Sequence, residues 1–324
     1  MAKTIVATGA ATTETPKRTR RKAPAAESMQ SACDILSKFP RIVQKSAEAS
    51  QTKASTAEPE AAAQQLMLPF WAEQFRALPN EVFRSALFNA RNRRQKREYL
   101  KEKEIYVIGD GRITYTGEEL RQDDETVWLQ LIQIAKSQPV GALVRFTAHS
   151  FVKALGWPIK GDSYARLRGC LTRMQATSLQ VVSKRLGTNR AKAMSMIPVF
   201  EWQDKETELP LTHYEVQLAE PLVELYGKGY FTRVEWAQRL DLPDGLPTWL
   251  HGYFASHETP YPIKLETIRA GAGLTTRKTT HLRELVKAAL DELKRVKFIK
   301  DWAISGPDED LVTVERVSLP AIDG

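Results

Sequence analysis

Arg277, Lys278 and His281 stand close together in the chain, with Thr276 just before them and Arg283 and Lys287 just after. A planar guanidinium can donate two parallel hydrogen bonds to O6 and N7 of a guanine, and lysine or imidazole donors can reach a base edge or a phosphate. Reading bases is the chemistry this cluster suits, with Arg277, Lys278 and His281 as the leading readers. Glu284 shares the outward side, where a carboxylate accepts from a cytosine amino group or orients Arg277. Such readout needs a rigid rod that fits a major groove, and the flanking residues predict one. Leu282, Leu285, Val286, Ala289, Leu293 and Val296 recur at helical spacing. Arg277, Thr280, His281 and Lys287 fall on or near the other side. Thr275-Thr276 predicts the start of this helix, over residues 276–293. Upstream, Leu265 and Ile268 mark a short amphipathic segment, and Ala270-Gly271-Ala272-Gly273 predicts a tight turn made possible by glycine at positive φ. This is the order of a helix-turn-helix. It is also the order of an ordinary pair of antiparallel helices with a solvated outer face.

A second stretch carries the same kind of chemistry. A helix over about 163–176 stacks Leu167, Cys170, Leu171 and Met174 on one face. Arg166 and Arg173 are expected to point away from that face, with Arg168 on the flank and Lys160, Ser163 and Tyr164 at the leading end. These residues suit a neighbouring groove or its phosphates. Before them come a helix from about Asp124 (Val127, Leu131, Ile134, Ala135), a short strand Leu143-Val144-Arg145-Phe146, a helix capped by Thr147 and ending near Gly156, and a turn at 157–162. After them, strands at about 179–185 and 195–203 flank a basic loop, 187–190. Lys184, Arg185 and Arg190 on this predicted wing would contact backbone phosphate.

Residues 246–317 repeat that order: a helix with Leu250, Tyr253 and Phe254, an extended Tyr261–Lys264, the helix-turn-helix, and a wing from 298–304 and 311–317 about Ser305-Gly306-Pro307-Asp308. The halves share little residue identity, so an internal structural duplication rests on element order and stripe position. The expected architecture is α+β and mainly helical, with two tandem winged helix-turn-helix domains at 76–210 and 211–324. The junction falls within 205–240, where Tyr214, Val216 and Leu218 alternate as in a strand and Pro221–Tyr226 and Val234–Leu240 read as helical.

Residues 1–62 are rich in Ala, Thr, Ser, Glu, Lys and Pro, a composition that cannot offset chain entropy and predicts a disordered arm. Its Lys17, Arg18, Arg20, Arg21 and Lys22 form either a solvated charge run or a salt-sensitive phosphate contact. Residues 63–75 follow as a peptide and lead-in. Gln65-Leu66-Met67-Leu68-Pro69-Phe70 offers Leu and Phe anchors on a tether, which suits docking into an apolar groove on a partner. Alternatively, Leu66, Leu68 and Phe70 begin the first globular element. Trp71, Phe75, Leu78, Val82, Phe83, Leu87 and Phe88 suggest a packed helical lead-in, and Arg91, Arg93, Arg94, Lys96 and Arg97 lie either on phosphates or in solvent. Residues 104–118 predict a hairpin about Gly109-Asp110-Gly111.

The 47 Lys and Arg exceed the 39 Asp and Glu for a formal net charge of +8, which favours a polyanionic partner. Cys33 and Cys170 form no CxxC pair, which argues against a disulfide framework or a cysteine zinc site. No apolar run approaches the roughly 18 residues of a membrane span, and no apolar leader opens the chain, so a cytoplasmic protein without a membrane partner is expected. No GxxxxGK[ST], GxSxG or completed GxGxxG occurs, and Tyr261 replaces the second histidine of an HExxH string that begins at His257. His213 and His281 are lone. Neither an enzyme, a metal nor a cofactor is expected.

The residues assembled so far allow a comparison. The chain resembles the TrfA-type plasmid replication initiators, over about residues 65–317. The resemblance lies in QLMLPF (65–70), RALPNEVFRSALFNARNRR (76–94), ITYTGEELRQDDETVWLQ (113–130), ALGWPIKGDSYARLRGCLTRMQAT (154–177) and YFASHETPYPIKLETIR (253–269). It implies an initiator built from two winged-helix domains, acting in a bacterial cytoplasm on direct repeats (iterons) in double-stranded origin DNA and on the adjacent AT-rich segment, single-stranded once open. It further implies recruitment of the host replicative helicase, contact with the chromosomal initiator, and copy control through a homodimer in equilibrium with monomer. Docking to the host sliding clamp would fall on Gln65, Leu66, Leu68 and Phe70. The competing expectation is a winged-helix transcription regulator with the same DNA-binding physics; a metal-dependent nuclease is a more distant third.

Overall fold

The computed structural model describes residues 67–317 apart from 110, 140, 183–192, 204–209, 227–228 and 308–309. The arm expected over 1–62, Gln65, Leu66, and the wing residues Lys184, Arg185 and Arg190 lie outside the described residues.

The chain enters through strand β1 (Phe75–Pro79), a single turn α1 (Asn80–Phe83), β2 (Phe88–Asn89), and the hairpin β3 (Tyr99–Ile105) and β4 (Arg112–Glu118). The short β5 (Leu120–Arg121) leads into helix α2 (Gln122–Ala135). Nearly every residue of α2 is buried, polar ones included, so α2 is the axis of this part of the molecule. Its polar side chains are buried because they have partners. Gln130 Oε1 accepts Arg76 Nε and Nη2 at 3.0 and 2.9 Å, and Gln133 Oε1 accepts Trp71 Nε1 at 2.6 Å. Then follow β6 (Leu143–Phe146), α3 (Ala148–Ala154), α4 (Gly161–Gln175), β7 (Ser178–Val182), β8 (Ala193–Met194), β9 (Val199–Gln203) and β10 (Pro210–Gln217). Thr147 caps α3 as expected, its Oγ1 accepting from Ser150 N at 3.0 Å. The rest comprises α5 (Glu220–Glu224), β11 (Phe231–Glu235), α6 (Trp236–Asp241), α7 (Leu246–Ala255), β12 (Ile263–Lys264), α8 (Leu265–Gly271), α9 (Thr279–Arg295) and the hairpin β13 (Ile299–Ser305) and β14 (Leu311–Arg316).

Strands and helices contribute comparable lengths, which corrects the expectation of a mainly helical chain. The difference arises partly in the lead-in. Its apolar residues form β1, the single turn α1, β2 and irregular backbone rather than a longer helix, because β1 finds an antiparallel partner in β11, with Phe75 opposite Glu235 and Pro79 opposite Phe231. A second difference is the wing expected after α4. β7 pairs with β4 and β8 in the sheet β3-β4-β7-β8, whereas β9 joins a separate sheet, β6-β10-β9. β10 occupies the stretch where the junction was expected, so a boundary at 210/211 would cut that sheet at one of its strands. The later hairpin forms as expected: β13 and β14 pair, and β12 completes the sheet β12-β14-β13. The order strand, helix, helix, hairpin therefore occurs twice, but β6 pairs with β10 while β12 pairs with the hairpin itself.

Two apolar clusters form the interior. One runs from Leu68 to Trp236 about α2 and α4, and the other from Leu242 to Val312 about α7, α8 and α9. Ala90 is the member of the second cluster that comes from the early chain.

Candidate nucleic-acid interface

Helix α8 ends in a Schellman turn. Leu274 N donates to Arg269 O at 2.9 Å and Gly273 N to Ala270 O at 3.1 Å, with Gly273 at φ +63°. The two glycines of the expected turn do different things. Gly273 supplies the left-handed conformation. Gly271 is the last residue of α8, and a Cβ there would stand 2.7 Å from Ile108 Cδ1 and 2.9 Å from Trp249 Cζ2, so it serves close packing.

Helix α9 begins at Thr279, three residues later than Thr276, and Thr275 and Thr276 do not cap it. Leu274–Lys278 is instead a non-helical approach that carries Arg277 and Lys278 into the helix, with Lys278 at the N-cap. The core face of α9 is Leu282, Val286, Ala289, Leu290 and Leu293. Leu285, expected there, is 37% exposed, and Leu290 takes the place in the core. The turn angle explains the exchange: Leu285 lies one flank away from the centre of the buried stripe, where α9 borders a cleft rather than a neighbouring helix.

Arg277, Lys278, Thr279, Thr280, His281, Glu284 and Ala288 are exposed, and Thr276 is half-buried. The side chains of Arg277 and Lys278 make no hydrogen bond or ion pair to any described residue, while the Lys278 carbonyl accepts from Leu282 N at 3.0 Å. The first turn of α9 holds no acidic side chain, so its unsatisfied N–H groups and the positive end of its dipole add to these cations. Farther along, Lys287 Nζ lies 3.2 Å from Glu284 Oε1, and Arg283 is half-buried. His281, Leu285 and Ala288 line a cleft of about 840 Å³ whose other wall is Ala90–Arg93 and Asp244–Pro247.

Helix α4 has the predicted apolar stripe, but its arginines are placed otherwise than expected. Asp123 and Asp124, in the first turn of α2, are buried. Arg173 reaches Asp124 Oδ1 through Nε at 3.1 Å and Nη2 at 2.7 Å. Arg97 spans both carboxylates, Nη1 to Asp124 Oδ2 at 2.7 Å and Nη2 to Asp123 Oδ1 at 2.9 Å. Arg166 Nε lies 3.5 Å from Asp123 Oδ2 and its Nη2 2.8 Å from Asp244 Oδ2, with the guanidinium 3.9 Å over Trp157. A buried carboxylate without a cation would be costly, so these arginines turn inward to the acids. Burial and Asp123 push the Asp124 carboxyl up, against the pull of Arg173 and Arg97. Burial pulls the Arg173 guanidinium down, but Asp124 more than reverses this and holds it above its ordinary value.

The remaining α4 candidates are mixed. Arg168 stacks 4.9 Å from Trp202. Ser163 is buried, which removes it from any DNA-facing surface. Tyr164 OH meets His149 Nδ1 at 3.2 Å, and Lys160 is exposed beside Asp162. The structure thus brings 276–281 together as an open cationic patch and withdraws Arg166 and Arg173 from the surface role expected for them.

The peptide at 65–70 is also divided. Leu68 is 7% exposed and packs with Ala135, Val144, Leu218 and Val223, while Phe70 is 87% exposed with Lys136 Nζ 5.7 Å from its ring. Trp71 is buried next to it, its carbonyl accepting from Lys136 Nζ at 3.0 Å. Leu68 therefore begins the globular core and Phe70 does not.

The patch was legible from residue type, and only its His281 from helical phase, while its supports were not. Arg91 Nε donates to Gly273 O at 2.9 Å, and Arg269 donates to Thr276 O at 3.4 Å while paired with Glu266 through Nε at 2.8 Å. A basic run at 91–97 and an i,i+3 Glu–Arg pair were the available signals.

Among the described residues no group of His, Cys, Asp and Glu could hold a metal, and no helix is long and apolar enough to cross a membrane. Comparison with known proteins places the chain among replication proteins. A model of the TrfA protein family matches residues 38–316. The plasmid replication initiator protein TrfA of Escherichia coli is 36% identical over 251 residues, which is 76% of this chain; the chain spans 63% of that relative's length. In fold, the chain is similar to the Pi initiator protein solved in complex with iteron DNA, with a TM-score of 0.51 and 11% identity over 77% of this chain and all of that one. It is likewise similar to domains 2 and 3 of RctB, with a TM-score of 0.51 and 11% identity over 73% of this chain and 98% of that one. The mixed α/β fold is similar to that of the Pi initiator protein and of RctB domains 2 and 3.

Proposed function

We propose, because this chain belongs to the TrfA protein family, that it initiates plasmid replication by binding direct repeats in duplex origin DNA. The observation that carries the reading is the open cationic approach to α9: Arg277 and Lys278 exposed and without a described partner, His281 beside them, and a first helical turn free of acids. In this reading α9 enters a major groove N-terminus first, with Arg277 donating to a guanine, Lys278 on phosphate, and Thr276, His281, Arg283 and Lys287 along the same edge. The two strand–helix–helix–hairpin sets act as winged-helix modules, α4 being the second DNA-facing helix through Lys160, Tyr164 and Arg168. Arg166 and Arg173 then support α4 from within. The wing residues Lys184 and Arg185 complete the backbone contacts.

The family resemblance supports a wider role: opening of the AT-rich segment, recruitment of the host helicase, contact with the chromosomal initiator, copy control by a dimer–monomer equilibrium, and clamp docking through Gln65, Leu66, Leu68 and Phe70. The Pi initiator's iteron complex supports the repeat-binding part by analogy of fold. The test is binding to the direct repeats of the parental replicon. Arg277→Ala is expected to lose about 1–3 kcal/mol on those repeats and little on scrambled duplex. Equal affinity of the unaltered protein for repeats and scrambled DNA would overturn the reading.

A further inference from the structure

The approach to α9 is held by a residue far away in the chain. Ala90 N donates to Ala272 O at 2.8 Å, and Arg91 Nε donates to Gly273 O at 2.9 Å. Asn89 lies so close to this turn that a Cβ on Gly273 would stand 2.8 Å from Asn89 Cβ. The same Arg91 guanidinium reaches Glu119 Oε1 through Nη1 at 2.5 Å and Glu98 Oε2 at 3.5 Å. Glu119 is buried, and its other oxygen takes Arg121 Nη2 at 2.9 Å and Glu98 N at 3.2 Å. Arg121 in turn donates to the carbonyls of Asn92, Gln95 and Lys96, which stiffens the loop on which Arg91 sits.

We infer that Arg91 is a positioning residue for base reading: it ties the carbonyl of Gly273, in the turn that leads into Leu274–Lys278, to the buried Glu119 carboxylate, and so sets, together with the Arg269 bond to Thr276 O, where Arg277 and Lys278 meet DNA. This rests on the reading of α9 as the base-reading helix. The geometry requires a fork. One nitrogen serves the carbonyl and another the carboxylate, and a lysine ammonium on its flexible stem cannot hold both in the same arrangement. Specific readout tolerates little displacement of its donors, whereas attraction to phosphate is nearly indifferent to it. Loss of Arg91 therefore lowers discrimination more than it lowers attachment.

The experiment compares the full chain with Arg91→Ala, Arg91→Lys and Arg277→Ala on two duplex probes, the direct repeats of the parental replicon and a scrambled duplex of equal composition. Amide hydrogen exchange over Ala272–Leu274, whose N–H groups are hydrogen-bonded in the turn, is followed in the absence of DNA, and thermal unfolding confirms that each variant is folded. Arg91→Ala and Arg91→Lys are expected to lose about tenfold on the repeats, the value of one charge-assisted hydrogen bond, with the scrambled duplex unchanged and exchange faster at Ala272–Leu274. Full recovery by Arg91→Lys overturns the proposal, because charge alone would then suffice. Equal loss on both probes overturns it too, and makes Arg91 a phosphate contact. Unchanged exchange overturns it directly. If Arg277→Ala leaves discrimination intact, the reading of α9 fails and the specificity role fails with it, while exchange still reports whether Arg91 holds the turn.

Discussion

Arg173 meets Asp124 through two nitrogens, Nε at 3.1 Å and Nη2 at 2.7 Å, across the contact between α4 and the first turn of α2. Arg97 holds the other oxygen of the same carboxylate at 2.7 Å. The pairing couples the helix proposed to face DNA to the buried axis of the first core. Removing Arg173 leaves a buried carboxylate with one cation in place of two. Arg173→Ala is expected to cost about 2–3 kcal/mol of stability, read as a shift in the denaturant midpoint. Repeat affinity per folded molecule should be unchanged. A loss of affinity with stability intact would return Arg173 to the DNA surface.

His251 makes acid a specific threat to the second core. Its imidazole is buried, edge-on to Phe298 with ring centroids 4.5 Å apart, and neither nitrogen has a partner among the described residues. Burial, followed by the nearby Arg239 and Arg316, pushes it down to about 3 from an ordinary value of 6.5. Between those values the unfolded chain binds a proton that the folded chain refuses. The contribution is therefore fully present above about pH 6.5 and is lost as pH falls toward 3. Each pH unit in that window should remove up to about 1.4 kcal/mol through this residue. His251→Gln should flatten this part of the stability profile, compared at pH 7 and pH 5 by urea unfolding. An identical slope would assign the acid sensitivity elsewhere.

Phe70 and Leu68 make unequal probes of clamp docking. Leu68 is in the core, so Leu68→Ala is expected to cost about 2–4 kcal/mol of stability whatever the peptide binds. Phe70 is 87% exposed, and Phe70→Ala should leave the melting temperature unchanged. If the peptide docks on a sliding clamp, Phe70→Ala alone abolishes capture by immobilised clamp while repeat binding persists. Undiminished capture by that variant would remove the docking role.

Lys278 separates attachment from reading. It is exposed at the N-cap of α9, where a cation reaches a phosphate more readily than a base. Lys278→Ala should weaken repeats and scrambled duplex alike and reduce the slope of log affinity against log salt by about 1. An effect confined to the repeats would make Lys278 a base reader.

Part of this cationic patch is legible in residue order. The phase of Leu282, Val286, Ala289 and Leu293 predicts which side of α9 is free, and His281, Glu284 and Ala288 lie there, whereas Arg277 and Lys278 precede the helix and helical phase does not place them. What sequence periodicity cannot carry is the identity of a distant partner. Arg166 and Arg173 sit off the apolar stripe of α4, so helical phase alone sends them outward. Two buried acids on α2, Asp123 and Asp124, draw them in, and nothing in the expected helix start near Asp124 marks these acids as buried. The strand β1 was hidden for a related reason. Its run Phe75–Pro79 has no clean alternation and becomes a strand only by pairing with β11. Leu285 erred by phase: it is at the edge of the stripe, and tertiary packing decides which edge residue is covered.

The pairing of β1 with β11 has a consequence for how the molecule is made. Phe75 cannot find its place opposite Glu235 until the ribosome has delivered the intervening chain. At bacterial and eukaryotic elongation rates that interval is roughly ten to thirty seconds. Through it Trp71, Phe75 and Leu78 lack the Tyr226, Phe231 and Val234 surface that finally covers them. The first core is thus closed by residues synthesised immediately before the second, and the nascent chain holds an unfinished apolar face for about half of its synthesis. Chaperone dependence during translation, rather than stability once folded, is where this topology exacts its cost.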